Sequence, residues 1–154
     1  METVFVRQFS TLQEYFSQTF TRLFGGGRGE ISMSDPSDPL GCGIDIIVQP
    51  PGKKRQLLSL FSGGERALTA IALLFAMLKL KPTPFCILDE IEAALDDANI
   101  SYFADYLKEF SKDTQFIVVT HRKGTMERCD TLFGVAMEER GVSSMVSVNL
   151  TDYE

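Results

Sequence analysis

Three short stretches hold the residue types that phosphate chemistry uses. Asp89 and Glu90 close the apolar run Phe85-Cys86-Ile87-Leu88. If that run is a strand of an open α/β sheet, its carboxyl end is where ligands usually sit. Adjacent carboxylates there can divide the work. Asp89 suits Mg²⁺, directly or through water, because Mg²⁺ takes oxygen ligands and keeps several waters. Glu90 suits a general base that orients and deprotonates an attacking water. Neighbouring side chains diverge along a strand, so the two need not compete for one ion. His121, the only histidine, follows the second apolar run Phe116-Ile117-Val118-Val119-Thr120. It suits a polarising or sensing contact to a phosphate rather than metal binding, since no other histidine or paired cysteine offers a site. In the third stretch, Ser62-x-x-Glu65 reads as a capping box opening the apolar run Ala67 to Leu80. Gly63 and Gly64 leave backbone N–H groups uncovered at the positive end of that helix, a place that can hold a phosphate.

Each stretch also has a plainer reading. Many helices open with a capping box, many strands end in carboxylates, and a lone histidine is more often a surface residue than a catalyst. Ser62, His121 and Asp89 could be read as a hydrolase triad, but no Gly-x-Ser-x-Gly elbow surrounds Ser62. Lys53-Lys54-Arg55, the one compact basic run, is expected to be a solvated loop. The glycine-rich stretch Gly25 to Gly29 lacks a Gly-Lys-Ser/Thr ending, and no Gly-x-x-x-x-Gly-Lys-Ser/Thr phosphate loop occurs anywhere in the chain.

The elements that must position these residues follow from periodicity. Phe5, Phe9, Leu12, Phe16, Phe20 and Leu23 form one apolar stripe of a helix over 3–24, which Gly25-Gly26-Gly27 would stop. That stripe is either an ordinary core face or the last turns of a coiled coil, since the chain begins inside the pattern. Glu30 to Ser34 and Gly43 to Gln49 read as two strands around the turn-rich Asp35-Pro36-Ser37-Asp38-Pro39. Pro82 and Pro84 stop the long helix. Phe85 to Leu88 and Phe116 to Thr120 are expected to be parallel strands buried on both faces. Asp96 to Phe110 and Arg122 to Arg128 are helical. Thr131 to Met137 and Ser143 to Leu150 are closing strands. Together these make an α/β layered lobe with a mostly parallel sheet and flanking helices.

The 154 residues are enough for one domain with a sizeable core, and 44% hydrophobic with 23% charged residues argues against disorder. A net charge of −6 weighs against strong nucleic-acid binding by this chain alone. No apolar run is long enough to span a membrane, and no secretory signal is evident at the N-terminus. Three scattered cysteines, Cys42, Cys86 and Cys129, read as reduced thiols of a cytosolic protein.

Taken as a set and in this order, the motifs resemble those of ABC-type ATPases. More narrowly, the chain resembles the C-terminal half of the ATPase head of bacterial SMC (structural maintenance of chromosomes) proteins. The likeness rests on Leu23 to Gly27, Gln49-Pro50-Pro51-Gly52-Lys53-Lys54, Leu60 to Thr69, Leu88 to Asn99 and Thr120-His121-Arg122-Lys123-Gly124-Thr125-Met126. The second and last of these are the most specific. The resemblance implies residues 1–24 as the end of a returning coiled coil and 25–154 as the C-terminal lobe of an ABC-type, P-loop-NTPase-like head. It implies ATP and Mg²⁺ as cofactors. Ser62, Gly63, Gly64 and Glu65 would form the signature motif facing the γ-phosphate on the opposite head. Asp89 would be the Walker B aspartate that supports Mg²⁺, Glu90 the catalytic base, Asp96 a D-loop residue and His121 the switch histidine. Implied partners are the N-terminal lobe of the same protein, which would carry the phosphate loop, a second head in a homodimer, a kleisin subunit, and DNA through the complete head. The place implied is the cytoplasm, at the nucleoid and not a membrane. Chromosome condensation and segregation would be the process, and the isolated chain would be inactive. Two other readings are a head lobe of a related DNA-repair coiled-coil ATPase (recombination-protein N or RecF type) and a non-catalytic lobe that binds kleisin.

Overall fold

A computed structural model describes residues 2–150. The chain opens with helix α1 (Glu2–Leu23), then strands β1 (Arg28–Met33), β2 (Ile44–Gln49) and β3 (Gln56–Leu57). Helix α2 (Gly63–Leu80), β4 (Phe85–Asp89), α3 (Asp97–Phe110), β5 (Gln115–Val119) and the single turn α4 (Lys123–Met126) come next. Strands β6 (Thr131–Glu139) and β7 (Val142–Asn149) complete the order.

The apolar stripe of α1 is a core face: Phe9, Phe16, Phe20 and Leu23 are all buried. The helix packs on α2, β1 and α3. Its end is a Schellman motif. Gly26 N–H donates to Thr21 O at 2.8 Å and Gly25 N–H to Arg22 O at 3.4 Å. Gly25 takes φ +64°, a conformation that a glycine adopts without strain. Gly29 permits the close return of β1, because a Cβ there would stand 2.6 Å from the Phe20 ring.

Phe75 of α2 is the hub of the second half. Its ring meets Tyr106 at 5.1 Å and Phe110 at 5.6 Å, both from α3, and Phe116 of β5 at 6.0 Å. Aromatic pairs at these separations add to simple area burial. This cluster fixes β5, and with it the segment that carries His121, against α2 and α3.

The sheet departs from the expected mostly parallel one. Among the described residues only β4 and β5 pair in parallel, in register Phe85↔Gln115 through Asp89↔Val119, with α3 as the crossover. The other ladders are antiparallel: β1-β2-β3 forms one sheet and β6-β7 another. Short connections can join only antiparallel neighbours, whereas parallel strands need a long crossover, and α3 supplies the one that produces β4–β5. Strand β3 and the 3-10 turn Leu58–Leu60 follow the basic run Lys53-Lys54-Arg55 and are too short to leave a periodic signal in the sequence.

Nor are β4 and β5 buried on both faces. Cys86, Leu88, Phe116 and Val118 pack on the core. The alternate residues Phe85, Ile87, Ile117 and Val119 are exposed, Ile87 by 61%. With period-two alternation, an apolar run looks the same whether its outer face is covered or bare. The three cysteines are unpaired. No helix among the described residues is long and apolar enough to cross a membrane.

Candidate functional site

The parallel pair β4–β5 places Asp89 and His121 at neighbouring carboxyl ends. Asp89 is the last residue of β4, and its register partner Val119 is the last of β5. Glu90 then leaves the strand with φ +47°, the one non-glycine residue with positive φ among the described residues. Two backbone bonds hold it there: Glu90 N–H donates to Val119 O at 2.9 Å, and Ala93 N–H donates to Glu90 O at 3.1 Å. A non-glycine residue in this region costs on the order of 1–3 kcal/mol and persists only where the surroundings over-determine it. The result is a carboxylate aimed at the imidazole: Glu90 Oε1 lies 3.3 Å from His121 Nδ1, with both side chains largely exposed.

Behind this pair lies a buried acid that sequence reasoning missed. Glu92 is 1% exposed. Its Oε1 accepts hydrogen bonds from Thr120 Oγ1 at 2.5 Å and from Thr125 Oγ1 at 3.2 Å. Thr120 Oγ1 in turn accepts from Arg122 N–H at 3.0 Å, and Arg122 Nη2 donates to the Leu95 carbonyl. In the sequence, Glu92 is one more acid in a run of acids. Only its place between two hydroxyl-bearing residues of the 120–125 segment sets it apart.

The α2 N-terminus is built as its residue types predict. Ser62, with β-region backbone, accepts from Glu65 N–H at 3.4 Å, and Glu65 Oε2 accepts from Ser62 N–H at 3.4 Å, which closes the capping box. Ser62 Oγ also donates to Glu65 Oε2 at 2.8 Å. Lys53 from the basic loop reaches Glu65 Oε1 at 2.7 Å. Burial raises the Glu65 carboxyl, but the hydrogen bonds from Lys53 and Ser62 and the lysine charge outweigh it and leave the group below its ordinary range. Arg55 pairs with Glu30 at 2.5 Å. Two of the three basic residues are therefore tied down rather than merely solvated.

Two of the candidate groups converge through the backbone. Gly64 sits against the loop that follows Glu90, where a Cβ would stand 3.0 Å from Ala94 O, while a Cβ at Gly63 would meet nothing within 4 Å. That loop ends at Asp96, whose side chain accepts from Asn99 N–H at 2.9 Å and caps α3. Ser62 spends its bonds within its own cap and is not bonded to Asp89, Glu90 or His121 among the described residues.

The donor set is of the right kind for Mg²⁺. Asp89 is an exposed carboxylate at a strand's carboxyl end. Mg²⁺ takes one or two carboxylates and completes its shell with waters and phosphate oxygens, a role open to a single such carboxylate. The open approach at Gly63 likewise leaves the α2 N-terminus clear for an anion.

A family model described as "RecF/RecN/SMC N terminal domain" matches residues 9–144. The protein "Chromosome partition protein Smc" of Bacillus subtilis (strain 168) is 62% identical over 144 residues, covering 94% of this chain and 12% of that protein. Its namesake in Desulfitobacterium hafniense (strain Y51) is 59% identical over 150 residues, covering 97% and 12%. The chain thus spans only a small part of the curated relatives it matches. Among solved structures, one described under "ATP-driven dimerization and DNA stimulated activation of SMC ATPases" superposes with a TM-score of 0.90 at 42% identity, covering 98% of this chain and 91% of that one. An Smc head domain from Pyrococcus furiosus, with an extended coiled coil and bound to the C-terminal domain of ScpA, superposes at 0.89 with 44% identity, covering 98% and 38%. The α/β fold is that of SMC ATPase heads, and the chain belongs to the RecF/RecN/SMC N-terminal domain family.

Proposed function

We propose that this chain is the C-terminal half of the ATPase head of a chromosome-partition SMC protein and supplies one face of a composite site formed when two heads engage. The observation that carries this reading is the Glu90–His121 pair, 3.3 Å apart at the carboxyl ends of adjacent parallel strands. The sequence adds a signature-like helix start and lacks a phosphate loop, as a half-head would. The relatives' common description as chromosome-partition proteins favours SMC over the repair ATPases of the same family.

In this reading residues 1–24 are the last turns of a returning coiled coil, docked by their buried stripe on the lobe, and 25–154 form the C-terminal lobe. Glu90 orients the attacking water and takes its proton. His121, held beside it, polarises the γ-phosphate or fixes the water. Ser62 and the N–H groups of Gly63 and Gly64 meet the γ-phosphate of ATP held on the opposite head, where an uncovered helix N-terminus stabilises negative charge. Glu65 keeps that cap closed, and Asp96 stands at the junction between heads. Asp89 would hold Mg²⁺, which when bound neutralises phosphate charge.

The exposed apolar row Phe85, Ile87, Ile117 and Val119 is the surface on which the N-terminal lobe of the same protein would pack. The Pyrococcus furiosus head's description as ScpA-bound supports a kleisin as a further partner. The hairpin β6–β7, with Phe133, Val135 and Met145 exposed, offers apolar surface for it. DNA would be engaged by the complete head at the nucleoid.

Glu90→Gln in the complete protein tests the reading. Hydrolysis should fall on the order of a hundredfold, in the range of a lost general base, while ATP-dependent head dimerisation persists. Unchanged turnover would remove Glu90 from the mechanism.

A further inference from the structure

We infer that Glu92 is a positioning residue that sets His121 against Glu90. This inference rests on the proposed hydrolytic role of that pair. Glu92 lies on the loop between Glu90 and Asp96, yet its carboxylate turns inward and is 1% exposed. A carboxylate so fully removed from water is costly unless it is well bonded. Here both of its bonds run to one segment: Thr120 Oγ1 donates at 2.5 Å and Thr125 Oγ1 at 3.2 Å. These residues bracket His121.

The bracket continues on the main chain. With its proton committed to Glu92, Thr120 Oγ1 presents a lone pair to Arg122 N–H at 3.0 Å. His121 therefore sits at the apex of a turn whose two neighbours are joined through one hydroxyl, and Glu92 orients that hydroxyl. On the far side, Arg122 Nη2 donates to Leu95 O, immediately before Asp96. The loop that carries Glu90 and the loop that carries His121 are thus braced at two points around the pair. The exposed 3.3 Å Glu90–His121 contact could not fix either side chain unaided. Glu92 Oε2 and Arg122 Nε have no hydrogen-bond partner among the described residues. The brace therefore depends on Oε1 alone.

Three variants of the complete protein test this. Glu92→Met keeps the length of the side chain and removes the acceptor. Glu92→Gln keeps an acceptor oxygen and removes the charge. Thr120→Val removes the intermediate hydroxyl. Two readouts apply: ATP turnover, and amide hydrogen exchange at Arg122 resolved by fragmentation mass spectrometry. A misplaced catalytic pair should cost Glu92→Met about tenfold or more in turnover. Arg122 exchange should accelerate by about tenfold as its acceptor is freed to rotate. Glu92→Gln should stay within about threefold of wild type in both, because its oxygen still accepts.

Wild-type turnover and wild-type Arg122 exchange in Glu92→Met overturn the inference. If that variant does not fold, the same result in Thr120→Val overturns it. A loss in Glu92→Gln equal to that in Glu92→Met overturns it too, since charge rather than geometry would then be at work. The exchange arm does not depend on hydrolysis. If Glu90→Gln leaves turnover unchanged, the proposed function fails, and the link from Glu92 to Arg122 is still judged by exchange alone.

Discussion

His121 Nδ1 stands 3.3 Å from Glu90 Oε1, and Glu90 reaches it from a left-handed backbone at φ +47°. An extended residue at position 90 would carry on the line of β4 and send its side chain elsewhere. The bond from Glu90 N–H to Val119 O, two residues before His121, is the last of the β4–β5 ladder, and the chain leaves the strand just beyond it. Backbone strain and side-chain pairing are two aspects of the same local geometry, and each can be measured separately.

The strain should appear in stability. A β-branched residue at positive φ is far more disfavoured than an unbranched one, so Glu90→Val should destabilise the chain by about 1–2 kcal/mol relative to Glu90→Gln. Glu90→Gly should be neutral or slightly stabilising, because relief of strain offsets the entropy glycine adds to the unfolded chain. Urea titrations of the three variants decide this, and equal midpoints for Val and Gln would contradict a left-handed residue 90.

The α2 cap should have a pH signature. Burial raises the Glu65 carboxyl, but the bonds from Lys53 and Ser62 outweigh it, so its folded value lies below its unfolded one. Such a group contributes stability that is fully present above the ordinary carboxylate range and is lost as pH falls through the folded value. The stability gap between wild type and Glu65→Gln should therefore be largest near neutrality, about 1 kcal/mol for a cap, and should close in acid. Lys53→Met should shrink the neutral-pH gap. A gap that is flat with pH would mean that Glu65 is not held ionised by its partners.

Local chemistry was the legible part of this chain. The stripe of α1, its glycine stop and the Ser62–Glu65 box depend on residues within a few positions of each other, and the structure shows all three. The places of β4, β5 and α3 were also readable from periodicity. The exposed face of Phe85, Ile87, Ile117 and Val119 was not, because nothing in an apolar run records whether its outer face has a cover. Strand β3 is two residues long and leaves no periodic signal. Glu90 and His121 stood out in the sequence because each follows an apolar run, and the structure brings their side chains within 3.3 Å. The sequence was silent on Glu92, whose partners lie 28 and 33 positions away.

The glycine-rich stretch after α1 should not bind nucleotide. Gly25 and Gly26 spend their N–H groups on the carbonyls of Arg22 and Thr21, so the loop closes a helix instead of cradling a phosphate. With no phosphate loop elsewhere in the sequence, calorimetry on the 154-residue chain should detect no micromolar binding of ATP with Mg²⁺. A micromolar Kd would show that this chain holds nucleotide without a second lobe.

The central claim is that Ser62 acts across a head–head junction and is not merely a helix cap. ATP turnover of this chain joined to the N-terminal lobe of its own protein, followed against protein concentration beside Ser62→Arg, tests it most directly. The account predicts turnover per head that rises with concentration, and its collapse in Ser62→Arg, where arginine fills the space beside Gly63 that is open in this structure. Turnover that is independent of concentration and untouched by Ser62→Arg would contradict it.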